Sequence, residues 1–339
     1  MKIIITGGAG FVGCNAASRY LKRGDEVVVI DNLSRPGGER NLQWLKAQGN
    51  LTFLQADIRE GDKIDRIFRD HDNANLVLHL AGQVAVTTSV ADPRSDFAAN
   101  ALGTFNVLEA ARQASIQAPI IFSSTNKVYG GMEETGIVER DGRYAYSDLA
   151  QGVDEQQNLD FHSPYGCSKG AADQYVHDYS RIYGLETIVF RQSCIYGYRQ
   201  FGVEDQGWVA WFIIAALLGR PITVYGDGKQ VRDILFIDDL LDAYDAAAAN
   251  IKQSSGQVYN IGGGPTNVMS LLELLDYLGE KQKVPVAFDQ ADWRPGDQRV
   301  YVSDIGKAKA EIGWTPTISV KQGLDRLYDW VSSNKELFQ

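Results

Sequence analysis

A chain of 339 residues is long for a single core and short for three domains, so one large α/β unit or two lobes is the starting expectation. With 44% hydrophobic and 22% charged residues, the composition is that of a soluble globular protein and excludes a disordered or membrane-embedded chain. The net charge of −10 argues against nucleic acid or an anionic membrane as the main partner, because both need a cationic face, but it leaves room for a phosphorylated ligand.

Met1-Lys2 leads straight into the apolar run Ile3–Ile5, without a signal-peptide pattern, and no apolar stretch is long enough to span a bilayer. Cys14, Cys167 and Cys194 are scattered and lack metal spacing. The expectation is a cytoplasmic protein with reduced thiols and no metal. Short apolar runs follow at Val27–Ile30, Leu51–Leu54, Leu76–Leu80, Pro119–Phe122 and Thr187–Phe190. Runs without polar alternation suit a parallel sheet buried on both faces. Helical patterns lie between them, as at Asn100–Gln113 and Ser168–Tyr183, and this rhythm predicts a doubly wound α/β sheet.

Gly131–His162 breaks the rhythm. It is polar, acid-rich and far longer than the ~12–15 residues beyond which structureless loops become uncommon. It is either a solvated insertion or a lid over the active site. After Arg191 the pattern weakens. Trp208–Leu218, Asp238–Ala249 and Ser270–Gly279 read as helices, Gly226-Asp227-Gly228 as a turn, and the leucines at 271, 272, 274, 275 and 278 as a core stripe. The expected organisation is a dinucleotide-binding domain over residues 1–192, with 231–262 packing back on it. A smaller C-terminal lobe takes residues 193–230 and 263–339.

Gly7, Gly10 and Gly13 stand between the first strand and a helical segment, where they permit a tight turn, close approach of backbone to a pyrophosphate, and helix-on-strand packing. The helix N-terminus then offers unpaired N–H groups to phosphate. Asp31 ends the next strand, placed to bond the adenosine ribose hydroxyls, and its charge favours NAD over NADP. Arg35 nearby is read as a surface arginine. Asp57-Ile58 either holds the adenine or caps a helix. Leu80-Ala81-Gly82 ends the fourth strand with a small-residue turn that lets backbone meet the cofactor.

Tyr165 and Lys169 sit four apart on one helical face, behind Ser163 as N-cap and Pro164 at the first helical position. A free phenol titrates at about pH 10, so bringing it near neutral takes roughly 4 kcal/mol. The lysine cation, an oxidised nicotinamide and the helix start all act in that direction. Thr125 ends the strand before them and is placed to bond a substrate oxygen. Ser124 is its rival, and Ser123 is a candidate cofactor contact.

These residues together resemble the extended short-chain dehydrogenase/reductase family over essentially the whole chain. The matching elements are Gly-Gly-x-Gly-x-x-Gly at 7–13, Ser-Ser-Thr-x-x-Val-Tyr-Gly at 123–130, Tyr-x-x-x-Lys at 165–169, Val-Arg-Asp at 231–233, Pro-Gly-Asp at 295–297 and Gly-Trp-x-Pro at 313–316. The resemblance implies bound NAD, a nucleotide-sugar substrate and a homodimer or homotetramer built through two helices. It assigns catalysis to Thr125, Tyr165 and Lys169. It assigns cofactor contacts to Gly7, Gly10, Phe11, Val12, Gly13, Asp31, Asn32, Asp57, Ile58, Leu80, Ala81, Gln83, Asn100 and Ser123, together with Tyr165 and Lys169. Substrate contacts fall on Thr125, Asn126, Arg199, Gln206, Arg232 and Arg294, the last two gripping the diphosphate.

Segments 81–89, 123–130, 160–170, 199–201 and 205–208 are similar to the CDP-paratose 2-epimerase subgroup, which implies a CDP-hexose and transient oxidation at C2. Sugar 4,6-dehydratases carry an acidic pair where this chain has Asn126 and Lys127. The 4-epimerases usually place asparagine where it has Cys194. Both departures weigh toward the 2-epimerase. The rivals are another epimerase such as a UDP-hexose 4-epimerase, a net dehydrogenase, or a non-catalytic NAD-binding regulator.

Overall fold

The computed structural model describes residues 1–294 and 296–339; Pro295, the first residue of the Pro-Gly-Asp motif, lies outside the described residues. Strands β1 (Lys2–Thr6), β2 (Glu26–Asp31), β3 (Leu51–Gln55), β4 (Leu76–His79), β5 (Ile120–Thr125), β6 (Thr187–Gln192) and β7 (Val258–Ile261) form one sheet. Its order is β7-β6-β5-β4-β1-β2-β3, and every neighbouring pair is parallel. All six predicted runs lie in it, with ends shifted by a few residues. The largest shift is in β5, which continues through the polar Ser123-Ser124-Thr125 because their backbone pairs with β6.

The apolar runs are buried on both faces, as a parallel sheet requires. Alternation sends Ile3, Ile5, Val27 and Val29 into one core and Ile4, Val28 and Ile30 into the other. Helices Phe11–Lys22 and Ile237–Ala249 cover the first face, while Gly61–Asp70, Gly103–Gln113 and Ser163–Tyr183 cover the second. The order reverses between β1 and β4, and such a switch point opens a crevice at the strands' carboxyl ends.

Beyond β6 the chain builds smaller sheets. Val231–Phe236 pairs with Cys194–Tyr196, Val268–Ser270 and Val300–Tyr301. Thr223–Tyr225 pairs with Asp289–Ala291. Of the stretch 231–262, Val258–Ile261 joins the large sheet and the helix Ile237–Ala249 lies against Phe11–Lys22, tied by Arg19 to Asp242 and Asp245. Val231–Phe236 stays in the small sheet. Helix Leu271–Gln282 opens with a capping box between Ser270 and Glu273. Leu274, Leu275 and Leu278 are buried, whereas Leu271 leaves the stripe and faces the crevice.

Gly131–His162 is neither a structureless insertion nor a wall of the crevice. Ile137–Arg140 and Arg143–Tyr146 form an antiparallel hairpin. Tyr146 and Val153 pack with Val231, Val300, Tyr301 and Val302, and the Tyr144 N–H donates to the Lys229 carbonyl at 3.0 Å. The segment also bonds the large sheet, where the carboxylate of Glu155 accepts the Asn260 N–H at 2.7 Å.

Candidate active site

One cleft of about 740 Å³ runs from the glycine loop to the C-terminal lobe. At its first end the backbone sets the shape. Gly7 has φ +70°, and a Cβ there would lie 2.7 Å from the Ala81 nitrogen; one at Gly13 would lie 2.1 Å from the Gly7 oxygen. Only glycine lets the loop after β1 meet the turn after β4 and the following helix. Asp31 accepts the Ala9 N–H at 2.9 Å and the Leu33 N–H at 2.8 Å, so the same carboxylate that faces the cleft braces the loop. Burial raises its pKa against these bonds. A cradle that a Cβ would fill, closed by a carboxylate, fits a dinucleotide.

In the middle, β5 and the helix Ser163–Tyr183 bring the hydroxyls and the amine together. Ser124 also borders the cleft, but its Oγ donates to Asp173 at 2.7 Å. Asp173 also pairs with Arg191 at 2.9 Å inside the protein. The rival for Thr125 is therefore committed to a structural pair. Thr125 Oγ1 faces the cleft and accepts the Lys127 N–H at 3.2 Å. The helix begins one residue earlier than expected, with His162 as the capping residue, and Ser163 has φ +66°. The Ser163 Oγ still accepts the Gly166 N–H at 3.2 Å.

Tyr165 and Lys169 are buried and line the cleft. Lys169 Nζ donates to the Ser123 carbonyl and sits 4.1 Å above the Phe122 ring centroid. Burial lowers its pKa to about 7, against the pull of Asp173 and Asp96. Burial pushes the Tyr165 phenol up to about 12, while the Thr125 side chain lowers it and Asp96 raises it. The acidic phenol expected from the sequence rests on the lysine, an oxidised nicotinamide and the helix start together. Within the protein itself, burial acts against it, and Lys169 Nζ is bonded to the Ser123 carbonyl. Behind them His79 is kept neutral, its pKa lowered to about 3 by burial and then by the Lys169 charge. Its ring nitrogens lie 2.7 Å from Thr6 Oγ1 and 2.9 Å from Thr104 Oγ1.

At the far end, side chains hold one another. Arg232 donates to Asp297 at 2.7 Å. Arg294 pairs with Asp205 at 2.9 Å and lies 3.8 Å over the Tyr225 ring. Arg199 lies 4.0 Å over Trp44. The carbonyl oxygens of Gln200 and Gln230 are buried in the cleft walls without a partner among the described residues. Such orphaned acceptors suit a hydroxyl- or amine-bearing ligand.

The family profile described as GDP-mannose 4,6 dehydratase matches residues 4–327. The chain belongs to the extended short-chain dehydrogenase/reductase family. It is 48% identical to a CDP-paratose 2-epimerase from Salmonella typhi, over 98% of this chain and 100% of that one. A UDP-glucose 4-epimerase from Thermotoga maritima, solved with UDP-glucose, superposes with a TM-score of 0.84 at 31% identity, covering 99% of this chain and 100% of that one. A Thermus thermophilus UDP-glucose 4-epimerase solved with NAD gives 0.81 at 31% identity, covering 98% and 100%.

Within this family's fold, the cleft gathers Gly7, Gly10, Phe11, Val12, Gly13, Asp31, Asn32, Ile58, Leu80, Ala81, Ser123, Thr125, Asn126, Tyr165, Lys169, Arg199, Gln206, Arg232 and Arg294. Three expected cofactor residues stand behind its wall. Asp57 binds Arg59 at 2.7 Å and accepts from Asn32 at 2.8 Å, which holds its carboxyl down at about 2, and it does not cap the next helix. Asn100 lies in a π-helical turn, Ala98–Leu102, where its Oδ1 accepts the Gln83 N–H at 2.9 Å and its Nδ2 donates to Asp96 and Ser168. Gln83 and Asn100 therefore stiffen the Ala81–Gln83 turn from behind. Arg35, read as a surface residue, lines the cleft and donates to Gln206. Tyr225 and Leu271 also line it. Tyr225 stands just before the Gly-Asp-Gly turn, a strand-end position that could have flagged it.

Among the described residues, no cluster of His, Cys, Asp and Glu is placed to hold a metal, and no helix is long and apolar enough to cross a membrane.

Proposed function

We propose that this NAD-dependent nucleotide-sugar epimerase inverts C2 of CDP-paratose to give CDP-tyvelose. The observation that carries the reading is the cleft floor, where the Thr–Tyr–Lys set is complete and Asn126 and Lys127 stand where a dehydratase needs carboxylates. The 48% identity to a CDP-paratose 2-epimerase supports the choice of sugar and base.

Gly7, Gly10 and Gly13 would hold the pyrophosphate and Asp31 the adenosine ribose. NAD, when bound, would supply a hydride acceptor and donor and, in its oxidised form, a positive charge. Tyr165 takes the C2 hydroxyl proton and later returns it. Thr125 donates a hydrogen bond to the same oxygen as it becomes a ketone. Lys169 stabilises the phenolate in its protonated form, which Asp173 and Asp96 favour against burial. Arg232 and Arg294 anchor the diphosphate while the flat 2-keto sugar turns over. Residues 193–230 and 263–339 form the substrate-binding lobe on this reading.

Turnover of CDP-paratose in heavy water tests the chemistry. Product without solvent deuterium at C2 is expected; deuterium at C2 would mean proton abstraction from carbon and end the hydride route. A panel of CDP-, UDP- and GDP-hexoses tests the substrate, and turnover of UDP-hexoses alone would favour a 4-epimerase. Self-association is proposed through the exposed apolar face of Val90, Phe97, Leu102, Tyr175, Ile182 and Tyr183, on neighbouring helices. Sedimentation showing a monomer at micromolar concentration would remove that part.

A further inference from the structure

Lys127 was marked in the sequence only for what it replaces. In the fold it is a half-buried amine lining the cleft, two residues past Thr125, in the short helix Asn126–Tyr129. Among the described residues its acceptors are distant: the Gly296 carbonyl at 3.4 Å and Gln298 Oε1 at 3.5 Å, both at or beyond the outer limit of a hydrogen bond. Gln298 is itself fixed, donating to the Gly130 carbonyl. Arg232 repels the amine, and Asp297 offsets this only through space, because its carboxylate is hydrogen-bonded to Arg232. The cluster of Lys127, Arg232 and Asp297 thus carries two cations and one carboxylate. Positive charge drawn out of water without a close hydrogen-bonding counter-ion is costly, and an incoming anion lowers the cost.

The chemistry of the substrate says which anion. In a nucleotide sugar the anomeric phosphate is on C1. An enzyme acting at C4 holds that phosphate across the ring from its tyrosine. One acting at C2 must hold it on the very next carbon, close to Thr125 and Tyr165. Lys127 is the cation two residues past Thr125 that lines the cleft and lies near enough to Arg232 to feel its charge. We propose that Lys127 binds the sugar-linked phosphate of the substrate and thereby sets the register that presents C2 to Tyr165. This rests on the C2 reading for its register and on the wall's charge for the phosphate contact.

The experiment compares a diphosphate with its monophosphate on the full-length protein. Calorimetry would measure CDP and CMP, with UDP and UMP in parallel, on wild type, Lys127→Met and Lys127→Arg. CMP lacks the second phosphate and CDP lacks the sugar. In Lys127→Met, diphosphate affinity is expected to fall roughly tenfold or more, the loss of one charge-assisted hydrogen bond, with CMP changed less than about twofold. Lys127→Arg is expected to recover most of the loss, and thermal melts would show both variants folded. Diphosphate affinity unchanged in Lys127→Met, or falling together with CMP, would overturn the assignment. So would a wild type that binds neither diphosphate better than its monophosphate. Turnover of CDP-paratose is scored separately. A diphosphate-specific loss in an enzyme inert toward CDP-paratose would keep the phosphate contact and refute the C2 reading. Full CDP-paratose turnover without that loss would do the reverse.

Discussion

The glycine-loop end of the cleft and the arginine end are built from different materials. At the first, backbone atoms do the shaping: Gly7 meets Ala81, Gly13 meets Gly7, and Asp31 braces the loop. At the second, charged side chains are paired with one another, Arg232 with Asp297 and Arg294 with Asp205. A surface made by backbone geometry is ready before its ligand arrives. One made of mutual ion pairs has to exchange partners, so its affinity depends on how well the substrate replaces what it displaces. The first end suits a cofactor that stays, and the second a substrate that comes and goes.

Between these ends lies the chemistry, and the largest effect is expected there. Tyr165→Phe should lower kcat on the order of a thousandfold with ligand affinity nearly intact, measured by turnover and calorimetry. A variant keeping most of its activity would remove the tyrosine from the mechanism.

Lys169 gives the next effect, in stability. Its folded pKa is about 7, well below that of a free lysine. A group depressed in this way contributes stability above its unfolded pKa, and that contribution is lost as pH falls toward 7. Lys169→Met should therefore gain on wild type by up to a few kcal/mol near pH 7, with the gap narrowing toward about pH 10. Melting curves across that range would check it, and a gap that does not change with pH would mean the amine is not desolvated.

The contrast between the ends is sharpened by two smaller changes. Gly7→Ala should destabilise by about 1–3 kcal/mol and strip bound NAD, because the added methyl meets backbone rather than a flexible side chain. Arg232→Met should raise KM roughly tenfold with little change in kcat, as loss of uniform binding does. If Gly7→Ala kept its cofactor, or Arg232→Met lost kcat alone, the division between a preformed and an exchanging end would fail.

Much of the fold was legible because its signals are local. Ile3–Ile5 and Val27–Ile30 announce doubly buried strands, and the Gly7–Gly13 spacing announces the turn between strand and helix. The meeting of Thr125, Tyr165 and Lys169 at one cleft was legible for the same reason. What stayed hidden depends on partners distant in the chain. The hairpin at Ile137–Tyr146 lacks strong alternation and is held by Lys229 and the Val300–Val302 segment. Asn100 was recognised as important, but its place behind the Ala81–Gln83 turn follows from a π-helical turn that composition does not signal. Burial, which raises the Tyr165 pKa within the protein itself, is not encoded by the spacing between residues 165 and 169.

The Asp173–Arg191 pair has a consequence for descent. It lies one helical turn past Lys169, fastening the catalytic helix to β6 within the closed interior. Replacing either partner alone strands the other's charge away from water. Lineages should therefore keep both or exchange both, and an ancestor caught midway would have carried a lysine whose footing had come loose.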